Sequence, residues 1–137
     1  MIILDTGPIV AAANRNDTHH ERCAALLLDV EPPRLVPGPV IAEVCYLLAR
    51  DAGTAVEAAF LRSFDERFLR PVDLTSGDLA RAAELVEQYA DLPLGGTDAC
   101  VVALAERLNV AEVATIDRRD FSVVRPRHVP ALTLLPE

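Results

Sequence analysis

The chain has 137 residues, of which 51% are hydrophobic and 25% charged, and its formal net charge is −8. This length predicts a single domain over residues 1–137, and the composition excludes an intrinsically disordered chain. No apolar run approaches the ~20 residues of a membrane-spanning helix, and the first residues lack the basic region of a signal peptide, so we expect a cytoplasmic protein without membrane contact. All thirteen basic residues are arginine, which excludes mechanisms that need a lysine, such as a Schiff base.

The first half of the chain alternates short apolar runs with amphipathic segments. Residues 2–4 predict a buried strand that ends at Asp5, and a short helix follows it. A Thr-x-x-Glu pattern at 18–21 has the spacing of a capping box and predicts the start of the next helix. A short strand at 35–36 and a helix over 37–51 complete this half.

The second half repeats this alternation with the following elements: a helix starting at the capping-box pattern of 54–57, a strand at 72–74, a helix starting at the box of 75–78, a helix capped by Thr97 and ended by Asn109, and strands at 113–116 and 132–134. Strands that alternate with amphipathic helices predict an α/β domain with a mainly parallel sheet. Ligands of such sheets bind beyond the carboxyl ends of the strands.

Four carboxylates are predicted to lie where a ligand site would form in such a sheet. Asp5 and Asp117 directly follow predicted strands, so both should lie at the carboxyl edge of the sheet. Glu43 and Asp98 are predicted to share the apolar faces of their helices. A carboxylate among core residues is costly unless it is paired or bound to a metal. Together the four predict one acidic site.

Each of these acids alone has a purely structural alternative. Asp5 could cap the helix that follows it, Asp98 could be a first-turn acid favoured by the helix dipole, Asp117 could be a turn residue, and Glu43 could pair with a buried arginine. Four carboxylates in one place repel each other, however, and a cation relieves that repulsion. Oxygen donors without histidine or cysteine suit Mg²⁺ or Mn²⁺, and metal-assisted hydrolysis of a phosphodiester fits such a site.

The ordered motifs resemble those of PIN-domain ribonucleases, and more narrowly the VapC-type toxins of toxin–antitoxin pairs. They are Ile3-Leu4-Asp5-Thr6, Glu43 within an apolar helix, Thr97-Asp98-Ala99 at a helix start, and the segment 115–121, Thr-Ile-Asp-Arg-Arg-Asp-Phe. The resemblance implies a three-layer α/β/α fold with a central, mainly parallel sheet. It also implies an endoribonuclease that depends on Mg²⁺ or Mn²⁺.

The resemblance also assigns roles at the matching positions. Asp5 and Asp98 would be the principal metal ligands, and Glu43 and Asp117 would support them or bind a second ion. All four would then be catalytic.

Three further positions lie beside these acids. Thr6 and Thr115 match polar positions that orient ligands or water through their hydroxyls. Asp120 is an alternative to Asp117 for the fourth acidic position, or else it caps a short turn. We prefer Asp117 because it is nearest to the end of the predicted strand.

An acidic protein can hold RNA only through local positive charge or bound cations. Arg118, Arg119, Arg125 and Arg127 follow Asp117 closely and are candidates for contacts to phosphates. The alternative for these arginines is a solvated basic loop or a network with carboxylates. The resemblance implies a cognate antitoxin as partner and a homodimer. The rival function is a catalytically silent PIN-like interaction module whose acidic pocket binds an arginine of a partner.

Overall fold

The computed structural model describes residues 1–137 and contains five strands and seven helices. The strands are β1 (Ile2–Leu4), β2 (Arg34–Pro37), β3 (Leu69–Val72), β4 (Glu112–Ala114) and β5 (Thr133–Leu135). The helices are α1 (Thr6–Ala13), α2 (His20–Asp29), α3 (Gly38–Asp51), α4 (Thr54–Arg62), α5 (Ser76–Gln88), α6 (Gly96–Leu108) and α7 (Arg118–Val123). None of the helices combines the length and the apolar character that crossing a membrane requires.

The five strands form one sheet in the order β3-β2-β1-β4-β5, and every pair in it is parallel. α1 packs against α2 and α3, α3 packs against α4, and α5 packs against α6. Right-handed crossovers, the rule for parallel strands, would put α1 to α4 on one face of the sheet and α5 to α7 on the other. The predicted α/β/α architecture is therefore confirmed. The chain first winds from β1 toward β3 and then returns to β4, so the winding reverses beside β1. In open α/β sheets a ligand crevice forms at such a reversal, beyond the carboxyl ends of the strands.

The core is one cluster of 28 buried residues between the sheet and the two helical layers. β1 is buried along its whole length because it is the central strand with helices on both faces. In α6, residues 99–105 are all buried, which explains why this helix is apolar nearly all round. Asn109 ends α6 in the left-handed conformation, with φ of 55°, as predicted for a helix stop.

One of the three predicted capping boxes is present. Thr75 Oγ1 accepts a hydrogen bond from the backbone N–H of Asp78, and the Asp78 carboxylate accepts one from the backbone N–H of Thr75, both at 3.0 Å. The other two boxes and the predicted cap at Thr97 are wrong, because the N-cap positions of those helices are occupied by His19, Gly53 and Gly95.

Two further elements differ from the prediction. The strand expected at 72–74 lies earlier, at Leu69–Val72. It is an edge strand that pairs only with β2, and Pro71 hides the alternation of residues that is typical of a strand. The six-residue helix α7 was not predicted, since it is too short to show an apolar period. Both elements help to define the carboxyl edge of the sheet.

Candidate active site

The ends of β1 and β4 lie side by side and fix the first acidic residue. Asp5 follows β1, and its backbone N–H donates to Ala114 O at 2.9 Å. The buried Thr115, which follows β4, donates from Oγ1 to Asp5 Oδ2 at 3.0 Å. Although Asp5 occupies the N-cap position of α1, its carboxylate does not cap that helix. Helix capping therefore does not account for this buried carboxylate.

Asp98 lies near four other carboxylates whose charges act on it, and we call the five the acidic cluster: Asp5, Glu43, Asp98, Asp117 and Asp120. Asp98 lies in the first turn of α6 and is half-buried. Burial, together with the negative charges of the other four acids, raises the pKa of Asp98 to about 7, and among those charges that of Asp5 has the largest effect. The charges of the three other predicted acids, and that of Asp120, thus act on Asp98.

Burial also raises the pKa of Asp5. The nearby Thr6 amide and the hydrogen bond from the Thr115 hydroxyl oppose this rise, whereas the charges of Glu43 and Asp117 add to it. A buried carboxylate that faces other acids is poorly stabilised as an anion by the protein alone. Such a group is well suited to bind a cation.

Glu43 does not lie on the buried face of its helix, so the prediction for this side chain was wrong in detail. The buried residues of α3 are Val40, Val44 and Leu48. At 100° per residue, Glu43 is rotated by about 60° from Val40 on the side opposite to Val44. It is exposed at the border of the core face, yet close enough for its charge to act on Asp5 and Asp98.

Asp117 and Asp120 differ in their surroundings. Asp117 is exposed and caps α7, because its Oδ1 accepts a hydrogen bond from the backbone N–H of Arg119 at 3.3 Å. Asp120 is buried, and its Oδ1 has no hydrogen-bond partner. β4 ends at Ala114, so Asp117 does not directly follow the strand as predicted.

The two threonines line the same edge. Thr115 Oγ1 lies 3.0 Å from Asp5 Oδ2 and 3.2 Å from the backbone oxygen of Asp117, so this side chain bridges two loops of the site. Thr6 is buried with an unpartnered Oγ1. A Cβ on Gly7 would come within 3.3 Å of the Ile116 side chain, so the glycine permits the close approach of α1 to this loop.

Three of the four candidate RNA-binding arginines are engaged elsewhere. Arg118 donates to the backbone oxygens of Pro136 and Leu134, and Arg125 to that of Ser122. These contacts hold the end of the chain and the segment after α7 in place. The guanidinium groups of Arg118 and Arg125 are therefore bound to backbone oxygens.

Arg127 belongs to an arginine–carboxylate network. Its guanidinium donates to Glu84 at 3.1 Å, and its backbone N–H donates to Glu106 at 2.8 Å. Glu106 lies in the last turns of α6, about 12 Å along the helix axis from Asp98. Arg119 is the one candidate in contact with the acidic cluster, with Nε 3.7 Å from Asp120 Oδ1.

The donor set fits a hard divalent cation. The acidic cluster offers only carboxylate oxygens, and one of these, Asp120 Oδ1, is buried without a partner. No three histidine, cysteine, aspartate or glutamate side chains stand in a ready-made chelating arrangement. Mg²⁺ is usually held by one or two carboxylates and keeps several waters, so a site of this kind does not need a closed cage of side chains.

The raised pKa of Asp98 predicts a pH-dependent stability of the metal-free protein. Its carboxyl binds a proton more tightly in the folded protein, with a pKa of about 7, than in the unfolded chain, where the pKa is near 3.8. The free energy of unfolding should therefore fall as pH rises between these two values. Urea unfolding in EDTA at a series of pH values measures this fall, and Asp98→Asn should diminish it. A free energy of unfolding that rises over this interval would contradict the assignment.

Comparison with known proteins identifies relatives in sequence. The family model described as PIN domain matches residues 2–125. The Ribonuclease VapC26 of Mycobacterium tuberculosis (strain ATCC 25618 / H37Rv) is 31% identical over 136 residues, which are 98% of this chain and 100% of that protein.

Solved structures share the fold. The M. tuberculosis toxin VapC20, described as cleaving the sarcin–ricin loop, superposes with a TM-score of 0.83 at 21% identity, over 94% of this chain and 98% of that one. A chain of VapBC2 from Rickettsia felis, bound to a DNA fragment from its promoter, gives a TM-score of 0.67 at 22% identity, over 98% and 97%.

Proposed function

Because this chain belongs to the PIN-domain family, we propose that it is a metal-dependent endoribonuclease that acts as the toxin of a toxin–antitoxin pair in the cytoplasm. The observation that carries the proposal is the acidic cluster at the carboxyl edge of the sheet, where burial and the charges of four other carboxylates raise the pKa of Asp98 to about 7. The relative named a ribonuclease, and the toxin described as cleaving the sarcin–ricin loop, support RNA as the substrate.

Asp5 and Asp98 are the principal ligands in this proposal. Thr115 holds the Asp5 carboxylate in one orientation through its hydroxyl, and the start of α6 carries Asp98. Glu43 and Asp117 are exposed to solvent and would support these ligands or hold a second ion. When bound, Mg²⁺ or Mn²⁺ would supply a water of lowered pKa as nucleophile and neutralise charge on the scissile phosphate.

Arg119 is the side chain best placed to contact RNA beside the cut. Its guanidinium is 78% exposed and lies next to the acidic cluster. A chain of net charge −8 repels a polyanion elsewhere. We therefore infer that RNA binding is local, through Arg119 and the cation, rather than through a broad basic surface.

The proposed partners are an antitoxin and a second copy of the chain. Chains from a toxin–antitoxin complex of Klebsiella pneumoniae and from DNA-bound VapBC of Salmonella typhimurium share this fold, with TM-scores of 0.67 and 0.65. Large apolar side chains exposed on α3 and α5, Tyr46, Leu79 and Val86, would supply contact area for a homodimer.

The alternative, a silent module whose acidic pocket binds an arginine of a partner, is not favoured. A silent module would need the acids only to accept hydrogen bonds from a guanidinium. The relative that this chain matches over its full length is named a ribonuclease, which favours catalysis. Cleavage of RNA separates the two functions.

The purified protein is expected to cleave RNA in Mg²⁺ or Mn²⁺ and to lose this activity in EDTA, because carboxylates without a cation neither lower the pKa of a water nor neutralise the charge of the scissile phosphate. Total cellular RNA is the substrate to use, with sequencing of the new ends to find the cut position. Excess Mg²⁺ added after EDTA should restore cleavage. Undiminished cleavage in EDTA would exclude the metal mechanism, and no cleavage of any RNA class would favour the silent module.

A further inference from the structure

A second group of arginines lies apart from the acidic cluster. Of the thirteen arginines in the chain, five pair with carboxylates and two, Arg118 and Arg125, donate only to backbone oxygens. Four of the other six lie in two segments that the pairing of β2 with β3 brings together: Arg34, Arg62, Arg67 and Arg70. In a chain of net charge −8, these four are a local concentration of positive charge without ion pairs.

A pocket at the amino end of β2 and β3 holds two of these arginines. It has a volume of about 280 Å³ and is lined by Pro32, Pro33, Arg34, Glu66, Phe68 and Arg70. Arg34 begins β2 beside Ile2 of β1. Asp5 follows the other end of β1, about 10 Å away along the strand. This pocket, which we call the Arg34 pocket, is therefore separate from the candidate active site.

Arg34 is a buried cation whose N–H groups are incompletely satisfied. It is only 8% exposed. Its Nη2 donates to Val30 O at 2.9 Å, at the carboxyl end of α2, where positive charge is favourable. The contacts of Nη1 with the backbone oxygens of Arg67 and Phe68 are 3.5 Å long, and Nε has no partner. Burial of a charge with so few hydrogen bonds is costly, and an anion in the pocket would offset that cost.

The surroundings of Arg34 hold its guanidinium in place. Its Cζ lies 5.2 Å from the centre of the Phe68 ring, within the range of a cation–π contact. The loop that carries Phe68 is fixed by Asp65, whose Oδ1 accepts hydrogen bonds from the backbone N–H groups of Arg67 and Phe68 at 2.8 and 2.9 Å. Asp65 thus binds the backbone and forms no ion pair with the arginines around it.

Arg70 and Glu66 are the two exposed charged residues of the pocket. Arg70 can place a second guanidinium on a ligand, because no carboxylate of the protein holds it. The charge of Glu66 opposes the binding of an anion, but solvent screens an exposed carboxylate. The charges that line the pocket therefore leave an excess of one positive charge, and the more buried of the two cations has no counter-ion.

We propose that the Arg34 pocket binds a phosphate group between Arg34 and Arg70. Guanidinium groups match phosphate in charge and in hydrogen-bond geometry, and two of them balance a phosphate dianion. Pockets for drug-sized ligands have volumes of about 300–1,000 Å³, so the smaller volume here suits one phosphate group. The inference is independent of the proposed function, since it uses no residue of the acidic cluster.

The test is a titration of isotope-labelled protein with potassium phosphate, followed by NMR. EDTA in the buffer removes divalent cations, so that no metal at the acidic cluster can hold the phosphate, and potassium chloride keeps the ionic strength constant. Phosphate should shift the Nε–H signal of Arg34 and the amide signals of residues 66–70 until the site is saturated. The amide signals of Asp5 and Asp98 should shift much less.

Arg70→Gln should weaken phosphate binding by about tenfold, the effect of losing a hydrogen bond between charged groups. Arg22→Gln is the matched control, because Arg22 is an exposed arginine of α2 without an ion pair, and it should leave the dissociation constant unchanged. Glu66→Gln removes the only carboxylate of the pocket and should strengthen binding. Arg34→Gln should abolish binding. Because Arg34→Gln also removes the contact with Val30, the two variants at exposed positions test the proposal if this one does not fold.

The source of the phosphate is identified by titrating a nucleoside 5′-monophosphate and a short single-stranded RNA in the same buffer. RNA that shifts the pocket signals at a lower concentration than inorganic phosphate would assign the pocket to the RNA backbone, at a distance from the cut. RNA that binds no more tightly than inorganic phosphate would assign it to the free anion or a nucleotide.

The inference is overturned if excess phosphate leaves the signals of Arg34 and of residues 66–70 unshifted. It is also overturned if Arg22→Gln weakens binding as much as Arg70→Gln does, since the effect would then be one of net charge. Sodium acetate tests the other anion that arginines bind. Acetate that binds as tightly as phosphate would contradict a phosphate site and assign the pocket to carboxylates.

Discussion

Asp5→Asn is expected to reduce cleavage of RNA by about a thousandfold, which corresponds to about 4 kcal/mol of lost transition-state stabilisation. The amide would keep the size of the side chain and the contact with Thr115 Oγ1. It would remove the negative charge that the cation needs at the most buried principal ligand of the acidic cluster. Single-turnover cleavage of an RNA that contains the mapped cut position measures the loss.

The matched control for this prediction is Asp29→Asn, which removes one negative charge far from the sheet edge and should cleave at the unmodified rate. Circular dichroism spectra and melting curves show whether Asp5→Asn is folded. Because the substitution removes a buried charge, we expect the metal-free variant to be no less stable than the unmodified protein. A folded Asp5→Asn variant with full activity would place the reaction elsewhere.

Asp78→Ala is expected to destabilise the fold by about 2–3 kcal/mol, because it removes the capping-box acceptor of α5 and one partner of an ion pair in which only the carboxylate is buried. Asp78 is 3% exposed and accepts hydrogen bonds from Arg107 Nε at 2.9 Å. It also closes the capping box of α5 with Thr75. One carboxylate therefore holds the start of α5 and joins it to the end of α6.

Glu84→Ala is the control for this prediction. Glu84 is also an acid of α5 that pairs with arginines, but its side chain is largely exposed. Its loss should cost about 1 kcal/mol or less. Urea unfolding at one pH gives both free energies. Equal values for the two variants would show that burial of the Asp78 carboxylate does not matter.

Much of the site could be predicted because local sequence defines it. Asp5 follows an apolar strand, and Asp98 opens an apolar helix, so their places at the carboxyl edge depend only on the fold class. Their roles as ligands stay a prediction. The hydroxyl of Thr115 was assigned an orienting role, and the structure shows the hydrogen bond to Asp5 that such a role needs.

The other features of the site depend on packing and on contacts between distant residues, which no local sequence pattern predicts. Both Val40-Val44-Leu48 and Val40-Glu43-Leu47 have helical spacing, and only packing decides that the first set is buried. The direction of Asp120 depends on the short helix α7. The engagement of Arg127 depends on Glu84, 43 positions earlier in the chain.

The hydrogen bond between Thr115 and Asp5 joins residues 110 positions apart, and this separation governs when activity can arise during synthesis. β1 is made first, but its neighbour β4 is made last but one among the strands. Under the proposed function, the active site can therefore form only after β4 has emerged from the ribosome.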